Sequence, residues 1–220
     1  MRVRTLAVGL LCSSVALTAC SGGSGDKGSG KDSSPAASSG KKSNPAPPPV
    51  LPANYRKIGG AKNGFTAGVP KSWKPLDLKS LPQARAALQE TGLSASAADQ
   101  TIKTLNKNHA VLVMDPKSGR TARFAANLNG FCAAGTAPSA DQIKAQLQQI
   151  GARNVATTDV TVGGQSGQKT TYERSVGTMV TTGVQYQVTG DSGKTCFITM
   201  TEKKSTKAPF AKIGATIHAL

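Results

Sequence analysis

The chain of 220 residues carries 27 Lys or Arg against 11 Asp or Glu, a formal net charge of +16, and is 38% hydrophobic but only 4% aromatic. Beyond the N-terminus no run of 18 or more apolar residues occurs, which excludes a multi-span helical membrane protein. Two histidines and four cysteines leave little room for an elaborate metal site.

Arg2 and Arg4 precede an apolar run from Leu6 to Leu17 that Gly9, Ser13 and Ser14 interrupt. That is the length of a secretory signal and too short to span a bilayer, so residues 1–19 read as an export signal. The run ends in Leu17-Thr18-Ala19-Cys20, which resembles the bacterial lipobox. In that motif the cysteine thiol receives diacylglycerol before cleavage on its N-terminal side. The resemblance implies Cys20 as the lipidated first residue of a protein held at the extracytoplasmic face of the cell membrane. Each buried CH₂ contributes about 0.8 kcal/mol, so one acyl chain holds marginally and two hold stably. An incidental Cys20 in a secreted protein and an uncleaved anchor are the competing readings.

With Cys12 in the signal and Cys20 acylated, Cys132 and Cys196 remain. An even pair in an exported protein reads as a disulfide, which for a loop of this length contributes about 4 kcal/mol in the chain-entropy model. A free buried pair or a redox couple are the alternatives, and the absence of C-x-x-C weighs against the second.

Residues 20–53 are mostly Ser, Gly, Lys, Pro and Ala, with Pro45, Pro47, Pro48 and Pro49 close together. No apolar periodicity appears, so the segment cannot offset its ordering entropy and reads as a tether, stiffened by prolines at its end. The basic residues are divided between this tether and the remainder, 54–220, which reads as a single domain. An anionic lipid surface, an anionic wall polymer or an envelope protein would suit such a charge, but the plainer reading is a solvated basic surface. No Lys/Arg run interleaves with aromatics, so nucleic acid is not expected as a partner.

In chain order, Phe65–Val69 reads as a strand ended by Pro70 and followed by a turn to Trp73. Leu81, Ala84 and Leu88 mark a helix from Leu81 to Glu90, with Gly92 as C-cap. Ser96 and Asp99 have capping-box spacing for a second helix carrying Ala98, Ile102 and Leu105 to about Asn106. Ala110–Asp115 is an apolar strand, Pro116–Gly119 a turn, and Thr121–Leu128 an alternating strand with Ala122, Phe124, Ala126 and Leu128 on one face. Ser139 and Gln142 form a capping box for a helix with Ile143, Leu147 and Ile150 on one stripe. Four strands follow at 155–162, 166–174, 178–189 and 194–201. The short glycine links Gly163-Gly164, Gly177 and Gly190–Gly193 make them antiparallel neighbours. Val180, Val184, Tyr186 and Val188 place one face of the third strand in the core and leave the other wet or lightly covered. Cys196, on the side of Ile198 and Met200, points inward, and Cys132 is expected in the loop after the 121–128 strand. Pro209 opens a last helix whose stripe is Phe210, Ile213, Ile217 and Leu220. The class is α+β: a twisted antiparallel sheet with helices packed on both faces.

Gly64–Trp73, an apolar strand followed by Pro and then Trp, resembles the opening hairpin of the PsbP-like α/β/α sandwich. Pro209-Phe210 through Ile213 and Ile217 resembles that fold's C-terminal helix. Together with the lipobox and tether, the chain is similar to actinobacterial lipoproteins of the LpqN/LpqT type. The resemblance implies a binding or assembly module with no catalytic residues to carry over, and Trp73 in a packing role. The helical stretch 81–107 is longer than that family's pattern.

The residues themselves offer little for catalysis. His109 reads as a helix C-terminal residue and His218 as a near-surface one. Gly164-Gln165-Ser166-Gly167 lacks the spacing of a nucleophile elbow. Gly163, Gly164 and Gly167 precede no helix, so no dinucleotide or phosphate loop, and no cofactor or metal, is implied. Glu173 and Asp159, on adjacent predicted strands, are a conceivable carboxylate pair for a hydrolase of envelope lipid or glycan. The plainer reading balances them against Arg174, Lys169 or Arg153. Trp73, Tyr172 and Tyr186 are a candidate platform or simply core. The expectation is therefore a lipid-anchored, non-enzymatic binding domain, with the hydrolase as its alternative.

Overall fold

A computed structural model describes residues 47–89, 93–122 and 124–220. Glycine turns set its topology. Gly163 and Gly164 both adopt positive φ (56° and 78°), the conformation a two-residue hairpin link demands. They join β6 (Ala152–Val162) to β7 (Gln165–Val176); residues 177–178 lead to β8 (Met179–Thr189), and the longer link 190–194 leads to β9 (Thr195–Lys203). These four strands form the expected antiparallel meander. Strand β9 pairs with β5 (Asn127–Ala133), β5 with β4 (Val111–Met114), and β4 with the short β3 (Lys74–Pro75). The result is a seven-stranded antiparallel sheet ordered β3-β4-β5-β9-β8-β7-β6. A second sheet orders β1 (Tyr55–Gly60), β2 (Phe65–Pro70) and β10 (His218–Ala219) as β1-β2-β10.

Side chains alternate along strands, so the register divides the large sheet into two unlike faces. One presents Val113, Leu128, Ile198, Met200, Tyr186 and Val188, and against it lie the small sheet and α5 (Phe210–Gly214). Phe65 is fully buried here, and a Cβ on Gly130 would stand 2.6 Å from its ring, so glycine is what admits the aromatic. The opposite face carries α1 (Leu81–Gln89) and α2 (Ala95–Lys107) on Leu112 and Met114, and α4 (Ala140–Gln149) on Ala152 and Tyr172. Helices therefore cover one face. The other is covered by a sheet and one short helix, not by a second helical layer. Among the described residues no helix is long and apolar enough to cross a membrane.

Between α2 and α4 the covered face is polar. Asn129, Thr199, Gln185, Thr170 and Thr157 stand side by side across five strands. The first four are buried, and so are Thr181 and Gln187. The expectation of a wet or lightly covered face on β8 is thus corrected. The Gln187 amide donates to the Pro138 carbonyl at 2.9 Å, and the Thr157 and Thr170 hydroxyls meet at 2.9 Å, which meets part of the hydrogen-bonding need that burial creates.

The Ser139 capping box is present: the Ser139 hydroxyl accepts from Gln142 N–H, and Gln142 returns a bond to Ser139 N–H at 2.8 Å. Ser139→Ala is expected to cost about 1 kcal/mol in a urea melt, the usual loss of an N-cap on an exposed turn. The α2 cap is instead Ser94, whose hydroxyl accepts from Ala97 N–H at 3.2 Å. The Ser96–Asp99 box does not form, and Asp99 pairs with Arg85 of α1. Gly92 lies outside the described residues.

Four further expectations are corrected. Residues 116–122 are a helix, α3 (Pro116–Ala122), not a turn running into a strand. The Asp115 carboxylate accepts from Lys117 and Ser118 N–H, and Pro116 takes the first helical position, where its missing N–H costs nothing. Strand β5 consequently starts at Asn127, so Cys132 lies within it, directly opposite Cys196 of β9, and not in a following loop. The two are disulfide-bonded across 64 residues of sequence, within one sheet. The last helix stops at Gly214, because the Thr216 hydroxyl accepts from Gly68 N–H and residues 218–219 pair with β2. Ile217 stays buried, while Leu220 is 37% exposed and leaves the stripe. Strand β1 was not anticipated at all, although Asn63-Gly64 before β2 is a hairpin signal.

Candidate functional site

Three remote segments meet where the chain enters the domain. Residues 50–55 lead into β1, Pro70 ends β2, and Pro209 precedes α5. Around them is a hollow of about 500 Å³ whose walls include Pro52, Tyr55, Pro70, Pro209 and Thr216, with Lys212 at the side. Prolines suit this place because strand ends and a helix start have no use for their missing N–H. Tyr55 is 6% exposed, and burial raises its phenol pKa. Its hydroxyl has no hydrogen-bond partner among the described residues. Thr216, held by Gly68, closes the floor. The Lys71 N–H donates to the Asn54 carbonyl at 2.9 Å and fixes that loop beside Pro70.

Pro209 also borders a second hollow of about 220 Å³, between the start of α3 and residues 206–209, with Lys117, Lys207 and Asp115 on its walls. Here the Asp115 carboxylate is occupied in capping α3. Glu202 stands close by and accepts from Ala208 N–H at 2.6 Å; burial raises its pKa against that hydrogen bond. The ion pairs among the described residues are Arg85–Asp99 and Lys204–Glu173, so Lys71, Lys117, Lys207 and Lys212 are all exposed without a carboxylate partner among them. The site offers rigid apolar walls and positive charge. The larger hollow is lined by no His, Cys, Asp or Glu; its polar side chains are those of Asn54, Tyr55, Lys212 and Thr216.

The residues singled out in the sequence are not drawn together here. Cys20 lies outside the described residues. Cys132 and Cys196 form their disulfide. His109 is exposed after α2 at φ 49°, its carbonyl accepting from Asn63. His218 is buried at 7% exposure on β10 and not near the surface as expected, because strand pairing with Thr66 replaces the last helical turns. Glu173 and Asp159 fall on opposite faces of the large sheet: Glu173 faces Thr182, and Asp159 faces Gln168, whose amide reaches it at 3.4 Å. They therefore cannot share a substrate. Glu173 pairs with Lys204 at 2.6 Å, a partner not foreseen, and that bond lowers its pKa. Trp73 and Tyr186 belong to the core beneath the small sheet and Tyr172 to the core beneath α4, so no aromatic platform forms. Among the described residues no group of three His, Cys, Asp or Glu could hold a metal. The walls of the hollows come from segments far apart in sequence, Val50 to Thr216 in the larger and Asp115 to Pro209 in the smaller, and share no local pattern that a sequence reading could find.

No family model matches the sequence, and no curated protein matches it. Similar solved structures include cyanobacterial PsbP (CyanoP) from Synechocystis, 14% identical over 78% of this chain and 95% of that one, with a TM-score of 0.48. A Bacteroides thetaiotaomicron protein is 14% identical over 76% of this chain, with a TM-score of 0.45; the alignment spans 49% of that protein. A Pseudomonas aeruginosa protein of unknown function is 14% identical over 69% of this chain and 85% of that one, with a TM-score of 0.36. The chain's own elements make it α+β, antiparallel sheets with helices, and a PsbP structure is among its neighbours.

Proposed function

We propose that this protein is a lipid-anchored binding or assembly domain of a bacterial envelope, without enzymatic activity, held at the extracytoplasmic face by diacylglycerol on Cys20. The actinobacterial lipoproteins of the LpqN/LpqT type are the family this proposal favours, on the strength of the lipobox, the tether and the opening Gly64–Trp73 segment. One observation carries the binding role. The hollow at the start of the domain has proline and tyrosine walls and a lysine, with no His, Cys, Asp or Glu in its lining. The candidate hydrolase pair, Glu173 and Asp159, is separated by the sheet itself.

A photo-crosslinking residue placed at Ala215, in the hollow, tests this in the cells that make the protein. It is expected to give discrete adducts with a membrane or envelope component, whereas the same residue at Gln100, exposed on α2, gives none. Equal labelling from both positions would contradict a binding role for this end. Cys20→Ser in the same strain is expected to abolish incorporation of labelled acyl chains into the protein.

A further inference from the structure

We infer that the lysine-bearing, proline-walled end around Pro209 is a docking surface for an anionic phospholipid membrane. The inference deepens the proposed binding role by naming what this end meets; its charge and apolar arguments stand without acylation, and its connectivity argument rests on the proposed anchor. Three observations converge. The two hollows share Pro209 and gather Lys117, Lys207 and Lys212 on one end of the domain, with Lys71 beside Pro70. All four side chains are exposed and none has a carboxylate partner among the described residues, so their charge is available to phosphates outside the chain. The two nearby acids are engaged with backbone N–H groups: Asp115 caps α3 and Glu202 holds Ala208.

The second observation is apolar. Val50, 94% exposed, borders the larger hollow, so this end pairs an unsheltered aliphatic side chain with lysines, the combination that suits the boundary between headgroups and acyl chains. The third is connectivity. Residues 50–55 run along this hollow, so the segment that leads from Cys20 reaches the domain at this end and not beside α2 or α4. A membrane tied to that segment meets this surface first. A soluble anionic polymer would need the lysines but not Val50 or the point of arrival, which is why a lipid surface is the occupant proposed.

The test uses the 20–220 chain with Cys20→Ser, so that no acyl group contributes, and vesicles of phosphatidylcholine with or without phosphatidylglycerol at low salt. Binding is expected only to the anionic vesicles. Joint replacement Lys117→Glu, Lys207→Glu and Lys212→Glu is expected to weaken it by at least about a hundredfold, since loss of three lysines alone amounts to that and the three added carboxylates repel the surface further. Lys79→Glu, Lys103→Glu and Lys144→Glu change the net charge identically on other parts of the surface and are expected to leave most of the affinity. Val50→Ser alone, which removes the apolar side chain without adding charge, is expected to weaken vesicle binding while leaving binding to soluble polyphosphate unchanged. Equal losses from the two lysine sets would overturn the inference in favour of diffuse attraction. Loss confined to polyphosphate binding would overturn it in favour of a polymer. Because acylation is absent by design, a bare Cys20 in cells would refute the anchor without touching this result.

Discussion

Phe65→Ala is expected to cost about 3–5 kcal/mol, which for a domain of this size is a large share of its total stability. Phe65 is the first residue of β2, opposite Gly60 on one side and Ala219 on the other. It is 0% exposed and packs in the cluster that binds the small sheet to the large one. Its ring sits over Gly130, with Ile198 alongside that glycine, so truncation opens a void against a backbone that has no side chain to move into it. The cost combines lost apolar transfer with a cavity that cannot collapse. A urea melt of Phe65→Ala measures it, and Phe65→Leu should lose visibly less. A compensating Gly130→Ala, which clashes in the parent at 2.6 Å from the ring, should become tolerable once the ring is gone. Loss below about 1 kcal/mol would mean that the two sheets are not held together through this residue.

Removing the Cys132–Cys196 bridge is expected to cost about 2–5 kcal/mol. The bridge joins residues 64 apart, and the chain-entropy model assigns about 4 kcal/mol to a loop of that length. Because the cysteines face each other in neighbouring strands β5 and β9, the backbone ladder remains to hold them near one another when the bridge is gone. Most of the loss therefore arises in the unfolded chain, which becomes freer. A smaller part is local: Gly64 lies against Cys132, leaving 2.7 Å between its would-be Cβ and the sulfur, and the Gly64 carbonyl accepts from Leu220 N–H at 2.7 Å. The paired variant Cys132→Ala with Cys196→Ala, melted beside the oxidised parent, should show the loss with native circular dichroism retained. A change in fold, and not only in midpoint, would show that the bridge directs strand pairing.

The contrast between elements shows where the sequence spoke. The β6–β9 meander was legible because its turns are local chemistry: Gly163-Gly164, Gly177 and Gly190–Gly193 define each reversal without reference to anything distant. The Ser139 box was legible for the same reason. Residues 116–128 were misread because Pro116 and Gly119 suit both a turn and a helix start, and the carboxylate of Asp115 decides for the helix. The C-terminus was misread because a long-range event, pairing of residues 218–219 with β2, overrides an apolar spacing that fits a helix. The polar face of β8 was misjudged because Thr and Gln at alternate positions look like a solvent face, whereas α2 and α4 bracket it and residues near Pro138 cover it. The site was the least legible part. Tyr55, Pro70 and Pro209 acquire meaning only when the topology brings their segments together.

Intact mass measurement of the protein extracted in detergent from its own cells bears most directly on the central claim, an acylated Cys20 tying this domain to a membrane. The predicted product begins at Cys20, carries the added mass of a diacylglyceryl group there, and lacks the two hydrogens removed by the Cys132–Cys196 bond. A chain that begins elsewhere, or that begins at Cys20 with an unmodified thiol, would contradict it.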